Sequence, residues 1–144
     1  SSNGGHISTP NVEGPATAMA RALANAHLQA KDIDYINAHA TSTPVGDANE
    51  AKAIYQLFGS QTPVSSTKSM TGHECWMAGA SELVYSILMM QHDFIAPNIN
   101  IDALDEDSQK LHIITHTTQQ RIRAFLSNSF GFGGTNSAII VVNG

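Results

Sequence analysis

Apolar residues change their spacing along this chain, first marking helices broken by short extended runs and then strands alone. Val12, Ala16, Met19, Ala20 and Leu23 recur at helical spacing, which predicts an amphipathic helix over about 11–27. Ile33 to Ala38 reads as a strand. Asp47, with Glu50 three positions later, has the form of a capping box, and Ala51, Ile54, Tyr55 and Phe58 make one apolar face before Gly59 stops the helix. Pro63 to Ser66 predicts a second short strand. The next helix carries Trp76, Ala80, Leu83, Val84, Ile87 and Leu88 on one stripe and ends before Phe94. After an acidic, Asn/Asp-rich connection from Asn98 to Lys110, the stretches Leu111 to Thr117, Ile122 to Ser127 and Ser137 to Val142 read as extended.

Helix, strand, helix, strand, helix and then strands is the order of a layered α/β fold, and no repeat or linker divides it. One domain over residues 1–144 is expected. The opening run, Ser1 to His6, has loop chemistry with no strand ahead of the first helix. A βαβ series starts on a strand, so the sheet is expected to lack its first strand and the chain to be cut from a longer one.

Composition narrows the function classes. Twelve acidic against seven basic side chains give a formal charge of -5, and the few Lys and Arg form no basic stripe, which argues against nucleic acid. Ser81, Glu82 and Ser86 interrupt the longest apolar helix, and the amino terminus has no charged start followed by an apolar run. Neither a membrane span nor a signal peptide is indicated, and a cytoplasmic setting is expected. The single cysteine, Cys75, excludes an internal disulfide.

Candidate chemistry lies in three runs of small and hydroxylated residues. His39 stands in Asn37-Ala38-His39-Ala40-Thr41-Ser42-Thr43-Pro44-Val45-Gly46-Asp47, and His73 in Lys68-Ser69-Met70-Thr71-Gly72-His73. Each follows a strand and precedes a helix, the place where ligands collect in α/β sheets. The third run, Ser127 to Asn136, combines the glycines of a mobile or closely approached loop with Phe130 and Phe132, two rings able to form a wall or gate.

In this order and spacing the three runs resemble the carboxyl-terminal half of a β-ketoacyl-acyl-carrier-protein synthase, an elongating condensing enzyme of fatty acid synthesis with the thiolase fold. Phe94 to Asn100 resembles the type I group in particular. The resemblance implies a half-domain with a mixed five-stranded sheet and helices. It also implies a nucleophilic cysteine on an amino-terminal half that this sequence does not contain, and a homodimer of the full-length chain. Cys75 matches no position of that nucleophile and reads as a small buried or half-buried thiol.

The implied reaction is decarboxylation of malonyl-acyl-carrier protein to a carbanion that attacks an acyl thioester, with no cofactor beyond the phosphopantetheine of the carrier protein. His39 and His73 would donate hydrogen bonds to the enolate oxygen, and Lys68 would organise the site. A helix start and Lys68 would keep His73 neutral. Thr41 and Thr43 would bind the pantetheine arm, with tying their own loop as the plainer alternative. Phe130 would gate the acyl pocket, with Phe132 beside it as packing. Asn37, Glu50, Glu82, Ser127 and Asn128 match positions that hold a buried structural cation in related enzymes, although Glu50 also suits a helix cap.

Two positions depart from the family pattern. Ala40 stands where glycine is usual, and Trp76 lies in Glu74-Cys75-Trp76-Met77-Ala78-Gly79-Ala80, which replaces a run of small residues. The helix is therefore expected to pack at another distance or the pocket to differ in shape. A thiolase is disfavoured, because Asn128 to Gly133 stands where a Cys-x-Gly setting would be. A non-catalytic chain-length-determining partner remains the alternative from a different class; such partners tend to lose the histidines that this chain keeps.

Overall fold

Alternation in two neighbouring strands sets the architecture: Tyr35 and Phe125 point to one side of a sheet, Ile36 and Leu126 to the other, and all four are fully buried. A strand buried on both faces belongs at the centre. In the computed structural model, which describes residues 1–2 and 11–144, the elements run α1 (Glu13–Ala26), β1 (Tyr35–Asn37), α2 (Pro44–Phe58), β2 (Pro63–Ser65), α3 (Lys68–Thr71), α4 (Ala78–Gln91), β3 (Phe94–Ile95), β4 (His112–Ile113), β5 (Thr118–Gln119), β6 (Ala124–Gly131) and β7 (Thr135–Val142). Single 3-10 turns occupy Ala30–Asp32, Cys75–Met77 and Ser108–Lys110.

Five strands pair in the order β4-β2-β1-β6-β7, parallel except for β7, which runs antiparallel to β6. The mixed five-stranded sheet with helices is as expected. The missing first strand is not: the central strand is β1, inside the chain, and every neighbour in the order is paired. The expectation failed because the central strand follows α1; ahead of α1, Ser2 makes an isolated antiparallel bridge to Thr135 of β7, the strand on which α1 also packs. Of the opening run, Asn3 to His6 lie outside the described residues.

Two cores flank the sheet. On one face, Met19 and Leu23 of α1 and Ala53, Ile54 and Phe58 of α2 pack on Ile36, Val64 and Leu126. On the other, Met89 and Met90 of α4 and Ile95 of β3 pack on Tyr35, Ile114, Ile122 and Phe125. Ala20 and Tyr55, expected on the inner faces of α1 and α2, are exposed, and Pro15, Ala18 and Ala53 take the buried positions.

The largest difference from the apolar pattern is α4. Of its expected inner stripe, Trp76, Ala80, Val84, Ile87 and Leu88 are exposed, while Ala78, Glu82, Ser86, Met89 and Met90 are buried. Apolar residues line both sides of this helix, so spacing alone does not orient it. The polar partners do: Glu82 meets Lys68, and Ser86 meets Asn37. β3 and β5 form a separate antiparallel pair that propensity did not mark as strands.

Candidate active site

The chain turns sharply after β1, and two carboxylates on α2 hold the turn. Glu50 accepts the backbone N–H groups of His39 (2.9 Å) and Ala40 (2.8 Å) and the Asn128 side-chain amide (3.0 Å). Asp47 accepts the N–H groups of Thr41 (3.1 Å) and Thr43 (3.3 Å). The helix itself begins three residues before Asp47, at Pro44, so Asp47 and Glu50 do not form its capping box. They anchor the preceding loop instead. Burial pushes the Glu50 carboxyl up, against the N–H groups of Ala40 and His39 that favour its charged form.

Ala40 causes no strain, since its φ is not positive, and its carbonyl accepts the Ser66 hydroxyl at 3.2 Å. Gly46 lies against the loop: a Cβ there would lie 2.3 Å from the Thr43 hydroxyl oxygen, which would have to turn away. Thr41 and Thr43 lie with their hydroxyls 3.3 Å apart at the exposed edge of the loop.

The three runs singled out in the sequence converge on one cluster. The His39 and His73 rings meet edge-on with centroids 5.7 Å apart, and the half-buried Phe130 ring lies 5.6 Å from His39. His39 is pushed down to about 3, first by burial, then by Lys68 and His73, so its imidazole is neutral near pH 7. Its Nδ1 is buried with no hydrogen-bond partner among the described residues. A bare acceptor is a cheaper orphan than an N–H, which favours the proton on Nε2. For His73, the Cys75 N–H donates to Nδ1 at 3.0 Å. A ring whose Nδ1 accepts carries its proton on Nε2 when neutral. What the chain after His73 supplies to the ring is this one direct hydrogen bond.

Lys68 heads α3 and is buried, with its ammonium on Glu82. Burial pushes the Glu82 carboxyl up, opposed by Lys68. Behind this pair, the Asn37 amide reaches Tyr35 (3.3 Å), Thr67 (3.4 Å) and Ser86 (3.3 Å), and Tyr35 meets Ser65 at 2.9 Å. Tyr35, Ser65, Thr67 and Ser86 join this network with no mark in the sequence, because isolated hydroxyls carry no periodic signal.

The five residues matched to a structural cation are all buried. Asn37 Oδ1, Glu82 Oε2 and Asn128 Oδ1 have no partner among the described residues, and oxygen donors of this kind suit a hard cation. Glu50 already accepts three donors. No group of three or more His, Cys, Asp or Glu side chains among the described residues could hold a metal ion.

Three placements differ from expectation. Phe132, read as packing, is 86% exposed in the β6–β7 turn. Cys75, read as buried or half-buried, is exposed and has a φ of 50°. Trp76 also projects outward and leaves the helix-to-sheet distance alone. The close approach to the sheet is at Gly79, where a Cβ would lie 2.9 Å from the Ser129 hydroxyl oxygen. A cleft of about 600 Å³ lies beside the same loop, lined by Thr43, Asp47, Lys68, Asn98 and Asp105 among others, but by none of the three rings. The two imidazoles meet outside this cleft, edge to face with each other.

Comparison with known proteins gives concordant findings. Residues 1–102 match the family described as beta-ketoacyl synthase, C-terminal domain. The chain is 47% identical over 141 residues to 3-oxoacyl-[acyl-carrier-protein] synthase 1 of Escherichia coli K12, covering 97% of this chain and 34% of that protein. It is 48% identical to the enzyme of the same name from Haemophilus influenzae, covering 96% of this chain and 34% of that protein. The chain thus spans about a third of the length of these relatives. Among solved structures, a beta-ketoacyl synthase from Burkholderia phymatum superposes with a TM-score of 0.94 at 36% identity, covering 100% of this chain and 36% of that one. A ketosynthase in complex with its type II polyketide acyl carrier protein superposes with a TM-score of 0.93 at 31% identity, over 100% of this chain and 36% of that one. No helix among the described residues is long and apolar enough to cross a membrane.

Proposed function

This chain belongs to the family of beta-ketoacyl synthase C-terminal domains, and from that premise we propose that it is the carboxyl-terminal part of a cytoplasmic, homodimeric β-ketoacyl-acyl-carrier-protein synthase. Its reaction is the decarboxylative condensation of malonyl-acyl-carrier protein with an acyl thioester in fatty acid elongation. The observation that carries this reading is the pair of imidazoles 5.7 Å apart, one pushed down to about 3 and the other with Nδ1 occupied by an N–H.

Loss of CO2 from a malonyl thioester leaves an enolate whose oxygen carries the developing charge. Two N–H donors fixed beforehand stabilise that charge without rearranging. Each neutral ring offers its Nε2–H to the oxygen. Burial first and then Lys68, which acts from behind and is tied to Glu82, keep His39 from taking up a proton. Thr41 and Thr43 take the polar pantetheine arm at the exposed edge, and Phe130 beside His39 gates the acyl group. If a hard cation is bound on the α4 side of the sheet, Asn37 and Glu82 are the residues that would hold it, since Asn128 turns toward Glu50 and Met19 on the other side.

The acyl carrier protein is the proposed partner; a solved neighbour is a ketosynthase bound by its own carrier protein. The nucleophilic cysteine comes from the part of the longer protein that this chain does not span, and residues 1–144 alone are inactive. The outward apolar side of α4, with Val84, Ile87 and Leu88, faces that part. A second reading, a chain-length-determining subunit, has support in solved neighbours that pair a ketosynthase with a chain length factor. The imidazole pair favours the catalytic reading.

In the full-length protein, His39→Ala and His73→Ala should each slow malonyl decarboxylation by about a hundredfold or more, while acyl transfer to the cysteine persists in part. Wild-type decarboxylation in both variants would sink the assignment.

A further inference from the structure

His73 sits between two backbone positions that do not hold themselves. Gly72 has a φ of 74° and Cys75 one of 50°, a left-handed conformation that a residue with a side chain adopts only when its surroundings impose it. Yet the Cys75 N–H must stay on Nδ1 of His73 for that ring to present Nε2–H. The imidazole is exposed, so core packing does not supply the constraint.

Glu74, the residue between them, is fastened at both ends. Its carbonyl accepts the Met77 N–H at 3.1 Å, closing the 3-10 turn that follows. Its carboxylate accepts the Tyr85 phenol at 2.9 Å, reaching eleven residues along to α4. The hydroxyls of Ser81 and Tyr85 hold the carboxyl below its usual range, and the same bond pushes the Tyr85 phenol up. Ser81 and Tyr85 are four residues apart, one above the other on the same helix face. Tyr85 in turn packs against the buried core beneath α4, which anchors the fastening point.

We propose that Glu74 is a positioning residue for His73: its carboxylate ties the His73 loop to α4 and so keeps the Cys75 N–H on the imidazole, selecting the tautomer with its proton on Nε2. This rests on the reading of His73 as a donor to the enolate oxygen, but the tautomer itself can be observed without the reaction. Glu74 touches no reacting atom, and its effect passes through the ring.

The test uses full-length protein with ring-15N histidine. Wild type should show neutral His73 with the proton on Nε2. Glu74→Ala should populate the other tautomer and lower decarboxylation kcat between about ten- and a hundredfold, with KM and cysteine loading changed less than about twofold. Glu74→Gln, which keeps an acceptor oxygen for Tyr85 and Ser81, should recover both readouts; if it fails like Glu74→Ala, charge and not position is the cause and the proposal is overturned. Tyr85→Phe should shift the tautomer in the same direction and serves if Glu74→Ala does not fold. An unchanged His73 spectrum in Glu74→Ala, or equal losses of loading and decarboxylation with a lower Tm, also overturns it. If wild type does not decarboxylate but Glu74→Ala still shifts the tautomer, the role of Glu74 stands and the proposed reaction falls.

Discussion

The two histidine loops meet in one cluster but are built in opposite ways. The His39 loop is held from below by a buried carboxylate, Glu50, that takes two consecutive backbone N–H groups and is locked by Asn128. The His73 loop lies at the surface, held from the side by Glu74 and relying on positive φ at Gly72 and Cys75. A buried carboxylate that satisfies buried donors is part of the fold, because its loss leaves those donors without water or protein. A half-buried one at the surface can be lost with little effect on folding and still decide where a ring points. The same residue type thus supports stability in one loop and geometry in the other.

Glu50→Ala presses hardest on this contrast. It strands the N–H groups of His39 and Ala40 and the Asn128 amide, and each unsatisfied buried group costs about 1–3 kcal/mol, so a loss of about 3 kcal/mol or more is expected by chemical denaturation of the full-length protein. Glu74→Ala should leave the denaturation midpoint nearly unchanged. Equal midpoints for the two variants would erase the distinction between the loops.

Acid should separate the loops next. His39 is held down to about 3 in the folded protein against 6.5 when unfolded, so between those values the unfolded chain binds a proton that the folded one does not. Stability linked to His39 is therefore complete above pH 6.5 and declines as pH falls toward 3, by at most about 1.4 kcal/mol per pH unit. Between pH 6.5 and 5, above most carboxylate titration, wild type should lose about 1–2 kcal/mol, and His39→Gln should flatten the slope. The groups that act on this ring, Lys68 and His73, disfavour its charge, so they steepen the decline and do not reverse it. An identical slope in wild type and His39→Gln would show that the ring is not held neutral.

The sequence exposed the cluster more fully than its supports. His39, His73 and Phe130 could be found because each stands in a run of unusual local chemistry, and such runs survive without knowledge of the fold. Helices α1 and α2 were readable from spacing, since each has one polar side. Helix α4 was misoriented because both of its sides are apolar; which side turns inward is settled by Lys68 and Asn37, which lie 14 and 49 positions from their partners on that helix. Asp47 and Glu50 have the spacing of a helix cap, and only the start of α2 at Pro44 shows that they serve the loop before it. Glu74 gave no signal in the sequence beyond hydroxyls at Ser81 and Tyr85 on one helix face. Long-range polar pairs have no period, so they are hidden from any reading that depends on one.

A further effect, divided between stability and turnover, tests whether the His73 loop is held by backbone conformation as well as by Glu74. Gly72 has φ 74° and ψ -177°, a region nearly closed to other residues, and a Cβ placed there would meet nothing within 4 Å. Gly72→Ala therefore creates no clash, and whatever it costs is torsional, about 1–3 kcal/mol if the conformation is kept. Gly46→Ala in the other loop is the opposite case: its new methyl would lie 2.3 Å from the Thr43 hydroxyl, the end of a side chain that can rotate away. If the His73 loop is forced to keep its shape, Gly72→Ala lowers stability and retains decarboxylation. If the loop relaxes, stability recovers and decarboxylation falls, because the Cys75 N–H leaves Nδ1. One of the two quantities has to move, and denaturation and turnover measured on the same preparation show which; a variant with both at wild-type values would mean that the left-handed turn before His73 is not required.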